Sequence, residues 1–421
     1  MTSTLIEDRR ELHRRPELGF CEIETAAFIY QRLQSLLDTA AGDALLTGDD
    51  VIDTKLIPGL TEHMIQASMT RAREQGVPAE YVEMFSGGRT GIVTDVQGNR
   101  PGPIVGLRTD FDGLGVSEST SDDHAPMRLG FASTNKDVMH ACGHDGHVAV
   151  ALEIIKRLTQ NRDFPGIMRI IFQPAEEGVR GAMVTKESVT DDVDIMLGMH
   201  LGLGLEAGEV GAGTHGQLAT EKTQVVFTGR QAHAAMAPEQ GRNALLAACS
   251  AALSLHALPQ RADANTRLNV GVLTAGTGLN IIANRAEMNV EYRADDREVL
   301  ADLKKRFSAV IEGSAMQYGV ESEIVPLGRA TTLVCDQPVI DKAMSALEGI
   351  DGVEKSHETV LFAASDDVSI FIERVQDKGG QGTFLIVGCS SPGPHHSGLF
   401  DIDESSLPIA VSWIEEIVRA S

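Results

Sequence analysis

The sequence predicts an α/β protein with a mostly parallel central sheet, interrupted by an inserted α+β domain of ferredoxin-like order. Three observations predict it. The chain has 421 residues, too many for one ordinary domain and enough for two or three. Short apolar runs alternate with helical periodicity up to Gly211 and again after Thr331, the texture of a parallel sheet covered on both faces. Between these stretches the order is strand, helix, strand, strand, helix, strand. The expected layout is a main domain over 1–213 and 331–421, with the insert over 214–330.

From Leu5 to Leu37 apolar residues recur at three and four, which predicts a helix broken by Pro16 and Gly19. A long polar stretch, Ala40 to Arg89, carries two helical patterns, Thr61 to Gln75 and Ala79 to Phe85, and closes on Gly87-Gly88. Gly91 to Val96 and Ile104 to Arg108 read as strands. Asp137 to Leu158 reads as a helix opening in a histidine-rich turn. Ile167 to Phe172, stopped by Pro174, and Asp194 to His200 read as buried strands. In the insert, Lys222 to Thr228, Leu268 to Leu273, Ile281 to Tyr292 and Val320 to Pro326 are strands, and Asn243 to Leu258 and Arg297 to Tyr318 are helices. Strand Thr383 to Val387 and helix Glu404 to Ala420 end the chain.

Composition excludes several function classes. Sixty acidic residues against 36 basic ones give a formal net charge of −24, which repels phosphate backbones and anionic lipid. Aromatic residues are 4%, with Trp413 the single tryptophan, so platforms for stacking bases are scarce. The longest nearly apolar run, Ala244 to Leu258, falls short of a membrane span. The five cysteines are odd in number, widely spaced and without a C-x-x-C, which points to a reducing compartment. Met1 to Arg10 has no apolar core of a signal peptide, so a cytoplasmic protein is expected.

The densest chemical feature is Met139-His-Ala-Cys-Gly-His-Asp-Gly-His147, which holds four candidate transition-metal ligands: His140, Cys142, His144 and His147. Gly143 supplies the backbone freedom to aim Cys142 and His144 at one point. A mixed sulfur and nitrogen set suits Zn, Mn, Co or Ni. The second feature is Gln173-Pro-Ala-Glu-Glu-Gly178, just past a buried strand. Two adjacent carboxylates can divide roles, one on a metal and the other free to shuttle a proton, although an acidic pair alone is an ordinary surface turn. Gly198-Met-His200 and Pro394-His-His-Ser397 follow other strands. Together these supply enough ligands for one or two ions. Asp110, in Arg108-Thr-Asp-Phe-Asp112, could orient a ligand histidine from behind. In the insert, His233 follows a strand, and Asn280 and Arg293 flank another; arginine is the natural partner of a substrate carboxylate.

These strings together resemble the metallo-aminoacylase/carboxypeptidase family, which includes hippurate hydrolases and auxin-conjugate hydrolases. Arg9-Arg-Glu-Leu-His-Arg-Arg-Pro-Glu17 matches the family's N-terminal helix. The insert of Ala40 to Arg89 and Phe131-Ala-Ser133 look closest to one branch, which joins the bacterial indoleacetyl-aspartate hydrolases to the p-aminobenzoyl-glutamate hydrolase A subunit. The resemblance implies a divalent metal, Mn or Zn with Co and Ni also suited, as one or two ions per subunit. It implies Cys142 as a bridging ligand and His144, Glu177, His200 and His396 as the others, with His395 the alternative to His396. It implies Glu176 as general base and Asp110 as the aspartate behind the ligands. In the insert, a lid and dimerisation domain, it implies that His233 reaches a neighbouring subunit's site and that Arg293 and Asn280 contact the substrate carboxylate. Arg108 stands where other branches carry a metal histidine, and Gly211 to Glu221 and Val360 to Asp367 depart from the branch pattern.

The activity expected is metal-dependent cleavage of a C–N bond, foremost the amide of an N-acyl or N-aroyl amino acid, in a homo-oligomer. An aromatic aminohydrolase acting on an aminoaromatic acid such as a nitroanthranilate needs the same parts. A non-catalytic partner subunit in a heterologous complex ranks last, because every proposed ligand and Glu176 are intact.

Overall fold

Apolar runs that alternate between two buried faces build the main sheet. Along the strand Gln381–Val387, Phe384 and Ile386 enter one core while Leu385 and Val387 enter another. The strand Pro165–Gln173 does the same, with Ile170 and Phe172 on one side and Ile171 on the other. A strand buried on both faces reads as a continuous apolar run, which is why these segments are legible without polar alternation.

The computed structural model describes residues 4–421, so the first three residues of the stretch read as lacking a signal peptide lie outside it. Among the described residues the strands are, in chain order, β1 Ala44–Thr47, β2 Ile92–Gln97, β3 Arg100–Asp110, β4 Pro165–Gln173, β5 Ile195–Leu201, β6 Glu209–Gly211, β7 Thr214–His215, β8 Ala219–Thr228, β9 Thr266–Ala275, β10 Arg285–Ala294, β11 Glu321–Ala330, β12 Lys355–His357, β13 Val360–Leu361 and β14 Gln381–Val387. The chain divides into two compact units. One comprises Met1–His215, Leu333–Phe362 and Asp366–Ser421, and the other comprises Gly216–Thr332 with Ala363–Ser365.

The first unit holds a sheet of order β1-β2-β4-β3-β5-β14-β6-β12. Its central pairs, β4 with β3, β3 with β5 and β5 with β14, are parallel. The carboxyl ends of these four strands therefore lie side by side, where ligands bind in open α/β sheets. Helices Thr4–Arg14, Ile23–Leu36, His144–Gln160 and Ser406–Arg419 feed one core, centred on residues such as Ile29, Leu152, Ile155 and Trp413. The helix Val368–Gln376 packs the other face through Phe371 and Ile372.

The second unit is an antiparallel sheet of order β11-β8-β10-β9, with helices Ala244–His256 and Arg297–Tyr318 closing a core around Phe227, Met288, Tyr292 and Phe307. The mixed α/β class with a large mostly parallel sheet and a separate antiparallel one is therefore the class the sequence predicts. Several details differ. The helix expected from Asp137 begins at His144, because Gly143 takes φ +91° and turns the chain just before it. The strand expected from Ile281 begins at Arg285, because Ile281 and Ile282 pair with the His233 loop instead. Helices Gln337–Ser345 and Val368–Gln376 and the short strands β1, β6, β7, β12 and β13 add to the elements that the sequence predicts.

Candidate metal centre

The site grows from the carboxyl ends of β3, β4 and β5 and from the turn before the helix His144–Gln160. Gly143, in the left-handed region that favours glycine, lets Cys142 and His144 turn back toward β5. Cys142 Sγ lies 3.5 Å from His200 Nε2 at the end of β5. His200 uses Nδ1 on the carbonyl of Leu201 at 2.8 Å, and His144 uses Nδ1 on the carbonyl of Asp112 at 2.9 Å. Each ring thus directs Nε2 into the cluster, the arrangement that fixes the tautomer of a metal-binding histidine.

The ligand atoms of Cys142, His144 and His200 lie within 4.8 Å of one another, as do those of Cys142, Glu177 and His396 and those of His144, Glu176 and Glu177. His396 Nε2 is 3.5 Å from Glu177 Oε1. His396 has φ +64°, and its N–H is held by the Ala141 carbonyl at 2.8 Å, which ties it to the cysteine turn. His395 is placed differently: its Nε2 faces the Leu201 carbonyl at 3.4 Å and its ring lies tilted against Phe400, with centroids 4.6 Å apart.

Two buried atoms in this cluster, His144 Nε2 and Glu177 Oε1, have no hydrogen-bond partner. Burying a polar atom unpaired costs about 1–3 kcal/mol. Burial also pushes the Cys142 thiol up, with His144 opposing and Glu177 and Glu176 adding to it, so a thiolate there requires a compensating cation. Sulfur, imidazole and carboxylate donors that converge, two of them buried without a partner, fit a divalent transition metal.

The neighbouring groups are polarised in a consistent sense. Burial, the carboxylates of Asp366 and Glu177, and Asp367 together raise Glu176 well above the ordinary glutamate range. Burial raises Glu177 to about 7 against the pull of His144, with Asp112 and Asp110 adding to the rise. Asp110 is held well below the usual range because Arg108, His144 and His147 outweigh its burial. It accepts from Arg108 Nη1 at 2.6 Å and from His147 Nδ1 at 2.5 Å.

His147 Nε2 accepts the Leu201 N–H at 3.1 Å, so both ring nitrogens of His147 are taken by protein. His140 is buried with neither ring nitrogen hydrogen-bonded and belongs to none of the convergent groups. Of the four candidate ligands in the histidine-rich string, Cys142 and His144 converge with His200, His147 converges with Asp110 and His144 but has both ring nitrogens occupied, and His140 joins no group.

Arg108 and Asp112, to which the sequence alone gives no role, frame this cluster. Arg108 donates to Gln173 Oε1, Asp110 and Asp367 at 2.6–2.7 Å, joining the ends of β3 and β4 to the start of the helix Val368–Gln376. Asp112 accepts the backbone N–H groups of both Glu176 and Glu177 at 3.0 Å. The signal available in the sequence is the repeated acidic spacing in Arg108-Thr-Asp-Phe-Asp112.

Residues 106–420 match Peptidase family M20/M25/M40. The chain belongs to that family. It is 39% identical over 410 residues to the indole-3-acetyl-aspartic acid hydrolase of Enterobacter agglomerans, covering 96% of this chain and 93% of that one. It is 39% identical, with the same coverage, to the A subunit of the p-aminobenzoyl-glutamate hydrolase of Escherichia coli K12. The solved aminobenzoyl-glutamate utilization protein of Klebsiella pneumoniae superposes with a TM-score of 0.84 at 32% identity, over 99% of this chain and 95% of that one. A dinuclear metal-binding M20 peptidase of Bacillus subtilis shares the fold, with a TM-score of 0.67 at 24% identity over 99% of this chain and 97% of that one. This M20 protein is thus a hydrolase, and its branch is the one the sequence strings resemble.

Within the second unit, His233 Nδ1 accepts the N–H groups of Ala235 and Met236 at 3.2 and 3.1 Å. The Asn280 carbonyl accepts the Ala234 N–H at 3.0 Å, so His233 and Asn280 share one loop pair. Arg293, on β10, pairs with Glu291 at 2.9 Å. Among the described residues no helix is long and apolar enough to cross a membrane.

Proposed function

We propose that this M20 hydrolase cleaves the amide of an N-acyl or N-aroyl amino acid, of the aminobenzoyl-glutamate or indoleacetyl-aspartate type. The observation that carries the reading is the division of labour in the carboxylate pair. Glu177 Oε1 is buried and unpartnered against Cys142 and His396, while Glu176 stands beside it among carboxylates that raise its pKa. The named hydrolases at 39% identity act on acyl–amino acid conjugates, which supports the substrate class.

Cys142, His144, Glu177, His200 and His396 would hold one or two divalent ions, Mn or Zn, with Co and Ni also suited to the donor set. When bound, the metal supplies Lewis-acid chemistry, acidifying water and polarising a carbonyl. Glu176 takes the water proton on a carboxylate oxygen and returns it to the leaving nitrogen. Its raised pKa lets it carry that proton between the two steps. Asp110, ionised by Arg108, fixes His147 behind the ligands.

His233 and Arg293 complete the reading. With Nδ1 occupied by backbone N–H groups, His233 carries its proton on Nε2, a donor suited to an oxyanion in a partner subunit's site. Arg293 and Asn280 would take the substrate carboxylate, Arg293 by exchanging its Glu291 partner. The exposed edge strand β9 and the exposed Leu246 and Leu253 of the helix Ala244–His256 suit a homo-oligomer built through this unit. A heterologous complex is the second assembly to test, since one relative is named as one subunit of its hydrolase. Five unpaired cysteines suit the cytoplasm.

The test is Glu176→Gln in metal-loaded enzyme. Turnover of aminobenzoyl-glutamate should fall by at least ~10²-fold, the usual weight of a general base. Bound metal, measured by elemental analysis, should stay at the wild-type level. Near-normal turnover would falsify the role of Glu176. Release of ammonia with a hydroxylated ring, instead of two acids, would mark an aromatic aminohydrolase.

A further inference from the structure

The turn that carries the carboxylate pair is strained. Ala175 has φ +54° and Val179 φ +59°, left-handed backbone that a residue with a β-carbon keeps only when its surroundings hold it there. The restraint is visible. Glu22 Oε1 accepts the N–H of Ala175 at 2.9 Å, and its other oxygen takes the Thr90 hydroxyl at 2.9 Å. Asp112 Oδ1 and Oδ2 accept the N–H groups of Glu176 and Glu177, each at 3.0 Å. Three consecutive amides are thus fixed by two buried carboxylates that take no part in the proton transfer.

The N-terminal segment is the floor beneath them. A β-carbon on Gly19 would sit 2.7 Å from Ala175 Cβ and 2.8 Å from Ala175 Cα, so only glycine lets the segment pass under the turn. The N–H of Gly113 donates to the Glu17 carbonyl at 2.7 Å, which anchors Asp112 to the same segment. An ionised carboxylate presents acceptors alone and so matches two N–H donors; an amide in its place would turn a donor toward one of them.

We propose that Asp112 and Glu22 are positioning residues that hold the strained Ala175–Glu177 turn over Gly19 and so aim the Glu176 carboxylate. The proposal rests on the reading of Glu176 as the base. It gives the Pro-Glu-Leu-Gly string near the N-terminus a part in the reaction without contact to substrate.

The experiment compares Asp112→Asn, Glu22→Ala, Glu22→Gln, Gly19→Ala and Glu176→Gln in the full-length protein, with aminobenzoyl-glutamate as probe. Kinetics are read beside metal content, melting temperature and amide hydrogen exchange over residues 174–178 of the metal-free protein. Asp112→Asn, Glu22→Ala and Gly19→Ala should each lower kcat by about 10²-fold, the usual result of misplacing a catalytic group by an ångström. KM should move less than ~3-fold, since none of these variants touches the residues proposed to hold the substrate carboxylate. Exchange over the turn should quicken while metal content holds. Glu22→Gln keeps the acceptor oxygen and should restore most of the loss seen in Glu22→Ala.

The proposal is overturned if Asp112→Asn and Glu22→Ala keep wild-type kcat while Glu176→Gln is inactive, or if their losses merely follow lost metal or lost fold. Should either variant fail to fold, the remaining one and Gly19→Ala decide on the same readouts. Full activity of Glu176→Gln would instead overturn the reading of the base.

Discussion

His13 shows how far single side chains in this protein are committed by their partners. It is fully buried, with Nδ1 2.8 Å from Asp145 Oδ2 and Nε2 3.0 Å from Glu118 Oε1. Both partners accept only and lie closer than the one donor, Arg9 Nη2 at 3.4 Å from Nδ1, which favours an imidazolium that donates from both nitrogens. Burial and Arg9 push its pKa down, but the bonds to Asp145 and Glu118 outweigh them and the net shift is upward. A histidine raised in the folded state contributes stability that is fully present below the unfolded pKa of about 6.5 and is lost as pH rises through the folded value. The melting-temperature gap between wild type and His13→Asn should therefore be widest below pH 6.5 and shrink in alkaline buffer; a gap that widens with pH would refute the imidazolium. The residue types at the centre are legible in the sequence because cysteine, histidine and glutamate carry their chemistry in their names. Asp112 and Glu22 are not, since a carboxylate that serves only as a backbone acceptor looks like any other until the turn above it is seen.

At the scale of elements, one helix start places two of the proposed metal ligands. The helix His144–Gln160 begins where Gly143 reverses the chain, and this puts His144 on its first turn with Cys142 just outside. A β-carbon at Gly143 would meet Ile402 at 3.3 Å in a left-handed conformation that costs side-chain-bearing residues roughly 1–2 kcal/mol. Gly143→Ala should lower the melting temperature of the metal-free protein and weaken Mn or Zn binding in an isothermal titration, while Gly349→Ala, also left-handed but with nothing within 4 Å, should leave metal affinity alone. Strands buried on both faces and the amphipathic helix Arg297–Tyr318 are readable because their periodicity is strong. Helices Gln337–Ser345 and Val368–Gln376 escape because nine residues hold too few turns to declare a period, and tertiary packing decides them. Strands of two to four residues such as β6 and β13 exist only through their partners, which no local pattern reveals.

Each of the two units, taken whole, has its own main sheet and buries apolar residues of its own, on both faces of the sheet in the first unit. In the second, β9 is an edge strand with Val272 and Leu273 exposed, and the helix Ala244–His256 presents Leu253 at 76% exposure. Long exposed apolar edges are a liability that proteins cover. Leu253→Glu with Val272→Lys should shift the protein from oligomer to monomer in analytical ultracentrifugation. If His233 serves a partner's site, activity should fall in step with the oligomer fraction. An active monomer would show that each chain is self-sufficient.

The order of the main sheet also sets a schedule. β14, which begins at Gln381, lies between β5 and β6, and His396 follows it. As the chain emerges from a ribosome, the second unit, nearly continuous from Gly216 to Thr332, is complete while the flank of β5 still stands open. The five proposed ligands come together only after most of the polypeptide has been made. A nascent or truncated copy that stops short of β14 retains Cys142, His144, Glu177 and His200 but lacks both His396 and the strand that closes the sheet beside them.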